Sequence, residues 1–372
     1  MKIAYLLGSL NRGGTETLLL DVFRNAKQNK LNAIGIYRKT GVLEPDFMQC
    51  GIQMQKISYK NNVFSYFLRL RKFLIENKID VVHAQQSIDA LYGFLACLGT
   101  NKRIILTFHG YDFTEKFIGK RILRFIIKRT DLNFYVSDTQ RMYYQKKYNL
   151  NRNLQKVVYN GISFDKLDLD VQNEATKTNV NLCEELHLDK NSLLIGAVGN
   201  FNEVRDQLTI CKFLKLLYDA NIDFYFVFAG KRIEDKAYLY DNCVDFCQNN
   251  GLSENVSFLG IRDDIPQILK QLDAFVYSTN HDTFGIAVME AIAVGIPVFV
   301  NDWGVMNEIT YQGKLATLYK TKDEKDLLQK FMLFLQDKPV YLEKALEAAT
   351  FVRQQYCIEK HILALKQEYE RL

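Results

Sequence analysis

His281-Asp282-Thr283-Phe284-Gly285, running through Glu290 into Ala291-Ile292-Ala293-Val294-Gly295-Ile296-Pro297, is the stretch of this chain that decides its architecture. Thr283-Phe284-Gly285 reads as a tight turn opening a helix, with Asp282 just before it and Glu290 about two turns along it. Small residues at a helix start leave backbone N–H groups open to an anion. Glu290 lies far enough down the same helix to hydrogen-bond a molecule bound alongside. Gly295 and Pro297 end the helix, and the apolar Val298-Phe299-Val300 follows at once as a buried strand. A helix start for phosphate, with carboxylates for sugar hydroxyls, points to a nucleotide-sugar site on an α/β framework.

Outward from that stretch the same alternation repeats. Short apolar, β-branched and aromatic runs at 3–7, 33–37, 53–57, 81–83, 104–108, 132–136 and 157–159 alternate with longer helical patterns. A second series follows at 193–198, 224–229, 256–259, 274–277, 298–300 and 315–318. Parallel sheets flanked by helices have this signature, and each series suffices for one doubly wound sheet. The polar, Asn/Asp/Lys-rich stretch 165–191 separates them. The expected organisation is a Rossmann-like domain over 1–170, a linker over 171–191, a second Rossmann-like domain over 192–350, and a last helix over 351–372 packing back toward the first. At 372 residues the chain exceeds what one hydrophobic core usually supports, which agrees with two domains.

With 48% apolar and 24% charged residues, the composition is that of an ordinary globular protein. A formal net charge of +5 fits an anionic substrate or a membrane surface and is too weak to argue for nucleic acid. No run approaches the roughly 18–20 apolar residues that span a bilayer. Seven cysteines without CxxC spacing argue against a disulfide framework and for a reducing compartment. Cys243 and Cys247, four apart on a helical pattern, read as packed thiols rather than as half of a metal site.

Ligands of open α/β sheets bind beyond the carboxyl ends of the strands, and the chemically able residues of this chain cluster at such ends. After the first strand, Gly13-Gly14 precedes a helix, where backbone amides can approach a phosphate. His83 and His109 each end a strand, with Asp112 just beyond the second. A histidine there either donates to an oxygen in the cleft or is a satisfied core residue. In the second half Asn200 and Arg205 lie between a strand and the next helix, and the planar fork of Arg205 matches a diphosphate. Asn160-Gly161 reads as a turn of residues tolerant of left-handed backbone, and the loop around Arg262 and Asp264 either caps a helix, the preferred reading, or touches a base. Residues 116–129 interleave Lys116, Lys120, Arg121, Arg124, Lys128 and Arg129 with apolar positions. That basic amphipathic helix either packs one face on a core or rests on an anionic membrane.

In this order the motifs resemble the retaining glycosyltransferases of family 4, which have the GT-B fold of two Rossmann-like domains facing across a cleft. The resemblance covers nearly the whole chain, through Gly13-Gly14-Thr15-Glu16, Thr107-Phe108-His109-Gly110 and Val157-Val158-Tyr159-Asn160-Gly161-Ile162 to the 282–297 block and Glu308-Ile309. That block matches the family's Glu-Gly-Phe-Gly…Glu-Ala…Gly-x-Pro pattern nearly position by position. The resemblance implies that Glu290 binds ribose hydroxyls and that Asp282, with the backbone of Thr283, Phe284 and Gly285, holds hydroxyls of the donor sugar. Arg205, at the family's lysine position, would neutralise the diphosphate with help from the Gly13 and Gly14 amides, and His109 would contact the sugar near the reacting carbon. Two departures stand out: Asp282 replaces the usual Glu, and Asn200 stands where many members carry the first of two basic diphosphate ligands.

The resulting expectation is a retaining transferase that moves a hexose-type sugar from a nucleoside diphosphate to an acceptor hydroxyl. Its acceptor would be a saccharide or lipid-linked saccharide in surface polysaccharide or glycoconjugate assembly. His83 and Asp112 are the acceptor-side candidates. No metal or other cofactor is required by the scheme, and no nucleic-acid partner is expected. The expected location is the cytoplasm, including the inner face of the cell membrane if residues 116–129 touch it. Two competing readings share the architecture: a nucleotide-sugar 2-epimerase, and a sugar-nucleotide-binding subunit whose catalysis has lapsed.

Overall fold

The computed structural model describes residues 1–58, 62–111, 117–168, 181–188 and 192–372. They form two compact units, residues 1–163 with 356–372 and residues 164–355. In the first, strands β1 (Ile3–Ser9), β2 (Ala33–Lys39), β3 (Gln53–Lys56), β4 (Val81–Ala84), β5 (Arg103–Phe108), β6 (Leu132–Tyr135) and β7 (Gln155–Val157) make one parallel sheet in the order β3-β2-β1-β4-β5-β6-β7. The period-2 alternation of a strand divides the β1 side chains between two cores. Tyr5 and Leu7 join Leu19, Phe23 and Phe134 on one face, while Ala4 and Leu6 join Tyr66, Leu70 and Ile126 on the other.

The helix Ile358–Glu370 belongs to the first of those faces, although nearly two hundred residues separate it from the rest of the unit. Ile358, Ile362, Leu365 and Tyr369 recur at helical spacing and are buried against the β1 side. Each such aliphatic side chain stabilises by about 1.5–3 kcal/mol when fully buried. The backbone at Ile162 pairs with Cys357, which fastens the helix start. Gly161 has no left-handed backbone; a Cβ there would stand 2.6 Å from that of His361, so close approach of the helix is what demands glycine. The sequence reading of Asn160-Gly161 as a left-handed turn is corrected accordingly.

The second unit holds β8 (Leu193–Val198), β9 (Phe224–Ala229), β10 (Val256–Gly260), β11 (Ala274–Tyr277), β12 (Val298–Asn301) and β13 (Thr317–Tyr319), parallel, in the order β10-β9-β8-β11-β12-β13. One face carries an aromatic-rich core of Phe213, Phe226, Phe228, Phe299 and Phe331. Cys243 and Cys247 are buried there with Cys211. In both sheets the strand order reverses beside the first strand, at β1/β4 and at β8/β11, and those are the places where an open α/β sheet offers a crevice.

All thirteen expected strands occur among the described residues, two of them displaced. The seventh is Gln155–Val157 rather than 157–159, because an edge strand tolerates polar residues that an apolar pattern overlooks. The last is Thr317–Tyr319 rather than 315–318; the Leu315 N–H instead bonds the carbonyl of Thr310, closing a turn. The helix Lys338–Gln355 runs unbroken past residue 350 within the second unit.

Candidate functional site

In the second unit, β11 delivers the loop 278–285, and the helix Ile286–Val294 follows with no side-chain cap. Gly285 sits at the helix entry with φ +81°, and a Cβ there would meet Cε of Met306 at 2.8 Å. Glycine is required twice over, by handedness and by space. Asp282 Oδ1 accepts the N–H groups of Thr283 at 2.8 Å and Phe284 at 3.5 Å, which fixes the approach to the helix. Along the helix Val288, Met289, Ala291, Ile292 and Ala293 are buried, while Ile286, Ala287, Glu290 and Val294 are only partly covered. Glu290 therefore lies on the open stripe of an otherwise enclosed helix, one turn below its first residue.

The loop after β8 is stitched to this one. Arg205 and Thr279 form an antiparallel bridge, the Thr279 hydroxyl donates to the Val204 carbonyl at 2.6 Å, and the Asn280 N–H reaches the same carbonyl at 2.9 Å. Asn301, fully buried at the end of β12, holds Thr279 from below through both its amide oxygen and its amide nitrogen. The outcome is a fixed place for Arg205. Its Nη1 donates to Asp282 Oδ2 at 2.5 Å, and its guanidinium lies 4.6 Å from the centre of the Tyr277 ring. The Tyr277 hydroxyl donates to the same Asp282 oxygen. Arg205 Nε is buried and has no hydrogen-bond partner. A buried N–H left open is costly unless something else fills it, so the guanidinium is held on two sides with a donor to spare.

Arg205 and Asp282, assigned from sequence to different parts of a ligand, are thus brought onto each other. Asn200 is exposed and its side-chain oxygen accepts the N–H of Lys231 at 2.9 Å, making it a brace between loops. Arg262 binds Glu185 and Asp264 through bidentate contacts, so Asp264 pairs with a neighbouring arginine and its side chain does not cap the following helix.

In the first unit Gly13 precedes and Gly14 begins the helix Gly14–Arg24, which no side chain caps. Neither glycine has left-handed backbone, and a Cβ at Gly13 would meet only the flexible Glu16 carboxylate. Thr15 lines a pocket of about 410 Å³ together with Gln85, Gln86, Ser87, Thr107 and His109. His109 follows the end of β5 and shares a 2.7 Å hydrogen bond between Nε2 and Gln85 Oε1. Burial, reinforced by the nearby His361, lowers its pKa from the ordinary 6.5 to about 3, so the ring is neutral at physiological pH. His83, by contrast, is 2% exposed. Its Nδ1 lies 2.7 Å from the Tyr369 hydroxyl, which in turn meets that of Tyr5, and its Nε2 lies 2.6 Å from Thr107 Oγ1. With both ring nitrogens engaged in the interior, His83 is the satisfied core histidine of the two alternatives. Asp112 and Lys116 lie outside the described residues.

The helix Phe117–Ile126 packs one face on a core, the first of its two readings. Leu123 and Ile126 are buried in the core, while Ile118 at 71% and Phe125 at 44% exposure stand among Lys120, Arg121 and Arg124. Among the described residues no helix is long and apolar enough to cross a membrane, and no group of three or more His, Cys, Asp or Glu side chains is placed to hold a metal. Sequence reasoning did not single out Tyr277, Asn301, Gln85 or Tyr369. Three of them read as ordinary strand or helix residues, and only Gln85, two positions past His83, sat close enough to a candidate to be noticed.

Two family models match the chain: Glycosyltransferase Family 4 over residues 13–166 and Glycosyl transferases group 1 over residues 181–351. Among curated proteins it is similar to the Escherichia coli O-antigen biosynthesis glycosyltransferase WclY, at 24% identity over 364 residues, covering 91% of this chain and 94% of that one. It is also similar to the Escherichia coli UDP-Gal:alpha-D-GlcNAc-diphosphoundecaprenol alpha-1,3-galactosyltransferase, 25% identical over 244 residues, 63% of this chain and 61% of the relative. Among solved structures, Anabaena HepE in complex with UDP and glucose superimposes over the full length of both chains with a TM-score of 0.85 at 18% identity. WclY and the galactosyltransferase are transferases by name, and the epimerase reading gains no support from them. Both units carry the GT-B architecture, and the chain belongs to the group 1, family 4 glycosyltransferases.

Proposed function

We propose that the protein is a retaining glycosyltransferase that moves a hexose-type sugar from a nucleoside diphosphate to a hydroxyl of a saccharide or lipid-linked saccharide, in surface polysaccharide assembly. The observation that carries this reading is Arg205, clamped by Asp282 and Tyr277 with its buried Nε donor unpartnered, on a loop stitched to the one that opens the helix bearing Glu290. The difficult event in such a transfer is charge growing on the departing diphosphate. A guanidinium fixed in advance and the positive end of a helix stabilise that charge without reorganising. The anomeric carbon–oxygen bond to the phosphate breaks, the acceptor oxygen bonds to the same carbon from the same face, and the acceptor proton passes to the departing phosphate oxygen. No protein nucleophile is needed. The scheme calls for no metal ion. Glu290 would accept ribose hydroxyls, and neutral His109, whose Nε2–H is given to Gln85, would accept from a sugar hydroxyl at Nδ1.

WclY and the galactosyltransferase, by their names, build lipid-linked or O-antigen saccharides, and HepE was crystallised with UDP and glucose, which makes uridine diphosphate sugars the first donors to try. Arg205→Ala should reduce turnover of the accepted donor by two orders of magnitude or more, about 2.7 kcal/mol, as loss of one preorganised transition-state donor does elsewhere, and Glu290→Ala should abolish donor binding or turnover. Wild-type turnover in both variants would remove the site from consideration.

The exposed Ile118 and Phe125 among Lys120, Arg121 and Arg124 fit the anionic face of a membrane carrying such an acceptor. Reversing the charge of Lys120 and Arg124 should weaken cosedimentation with anionic vesicles by about 2 kcal/mol or more, roughly 1 kcal/mol for each cation lost before any repulsion from the new carboxylates. Unchanged cosedimentation would confine the helix to its packing role.

A further inference from the structure

We propose that Lys231 supplies the second positive charge for the donor diphosphate, in place of the basic residue that Asn200 replaces; the inference rests on the nucleotide-sugar reading above. A sugar diphosphate is a dianion, and the nucleoside diphosphate released from it carries more charge still. Arg205 meets that demand with a single charge that the contacting Asp282 carboxylate largely offsets, and a helix start adds only about half a unit. Within the second unit the balance falls short by at least one cation.

Lys231 follows β9 at its carboxyl end, next to β8 in the sheet, and its main chain is locked to the turn that backs Arg205. Asn200 Oδ1 accepts the Lys231 N–H at 2.9 Å, and the Phe201 N–H donates to the Lys231 carbonyl at 3.0 Å. Gly230 makes the fit possible: a Cβ there would stand 2.0 Å from the Gly199 carbonyl oxygen. Gly199 in turn lies against the guanidinium, where a Cβ would be 3.2 Å from the open Nε of Arg205. The two cations thereby flank one turn, Gly199-Asn200, and a flexible four-carbon stem gives the ammonium the reach to share an anion with the guanidinium.

The neighbouring cations are otherwise occupied. On the same loop Arg232 forms a bidentate pair with Asp241 at 2.8 Å, and Lys236 pairs with Glu203. Among the described residues no carboxylate is paired with Lys231, and its side chain is exposed. Asn200 is accordingly not a lost charge. Its amide is spent on fastening the residue that carries the charge one strand away.

The test is calorimetric titration of the full chain with UDP, GDP and ADP, followed by the nucleoside of whichever diphosphate binds. Lys231→Gln should weaken the diphosphate about tenfold and leave the nucleoside within twofold. Lys231→Arg should stay near wild type, and Asn200→Arg placed in the Lys231→Gln background should recover most of the lost affinity. Equal weakening of nucleoside and diphosphate would show loop damage rather than lost charge and overturn the inference, as would an unchanged diphosphate affinity. Failure of the wild-type protein to bind any of the three diphosphates would instead bring down the nucleotide-sugar reading on which the inference stands.

Discussion

Replacing Tyr277 by Phe deletes one hydroxyl and leaves the ring beneath Arg205 in place, which makes it the sharpest probe of the clamp. Tyr277 is 2% exposed, and its hydroxyl donates to a carboxylate whose side chain is 14% exposed. Hydrogen bonds to charged groups contribute about 1.5–3 kcal/mol. Arg205 still binds the same oxygen at 2.5 Å, so the carboxylate is not orphaned and the lower figure applies, about 1.5 kcal/mol or slightly more than tenfold in the unfolding equilibrium. With Arg205→Met already in place, Tyr277 becomes the main donor to that oxygen, and the same substitution should cost toward about 3 kcal/mol. The difference, a coupling of about 1 kcal/mol or more, is what a double-mutant cycle isolates. Trp303, the single tryptophan, lies in the second unit and reports its urea unfolding by fluorescence. A cost below about 0.5 kcal/mol for Tyr277→Phe, together with effects that add within about 0.5 kcal/mol, would refute a shared oxygen.

The buried histidines make stability depend on pH in a definite direction. A folded-state pKa of about 3 for His109, against an ordinary 6.5, means that the unfolded chain takes up a proton first, so stability present above pH 6.5 is lost as pH falls toward 3. His109→Gln should flatten the decline by about 1.4 kcal/mol per pH unit, or about 2 kcal/mol between pH 6.5 and 5, in urea unfolding followed by circular dichroism; parallel curves for variant and wild type would contradict it. Gly285→Ala must adopt φ +81° and displace Met306, and should cost about 2 kcal/mol, whereas Gly13→Ala, in extended backbone, should cost below about 0.5 kcal/mol. Equal thermal shifts for the two would show that handedness at the helix entry is immaterial.

The strands were legible because parallel sheets covered on both faces must be written as continuous apolar runs, and Leu193–Val198, Phe224–Ala229 and Ala274–Tyr277 match the pattern residue for residue. Gln155–Val157 escaped it because its partner is a polar one, the Tyr135 hydroxyl on Gln155. The two strand-end histidines carried the same signal in sequence and have different surroundings. His83 lies inside β4, in register with Ile105 and under the helix Ile358–Glu370, whereas His109 falls one residue past β5 on the rim of a pocket. Spacing along the chain does not show whether a strand stops before or after such a residue. Nor does it show that Arg205 and Asp282, seventy-seven residues apart, share a hydrogen bond, since that follows from β8 and β11 being neighbours in the sheet. Glu290 and Gly285 were readable because their geometry is local to one helix.

The membership of residues 356–372 in the first unit has a consequence for biogenesis. During vectorial synthesis the β1 face emerges from the ribosome early, yet Tyr369, which tethers both Tyr5 and His83, arrives only after the whole second unit. Until then the nascent sheet presents Tyr5, His83 and their apolar neighbours to solvent, a substrate for chaperones and proteases, while the intervening unit, continuous in sequence, can already consolidate. A fragment ending at residue 163 would keep the pocket residues and lack the seal over the opposite strands, so insolubility of such a piece would reflect a missing closure and not a faulty site.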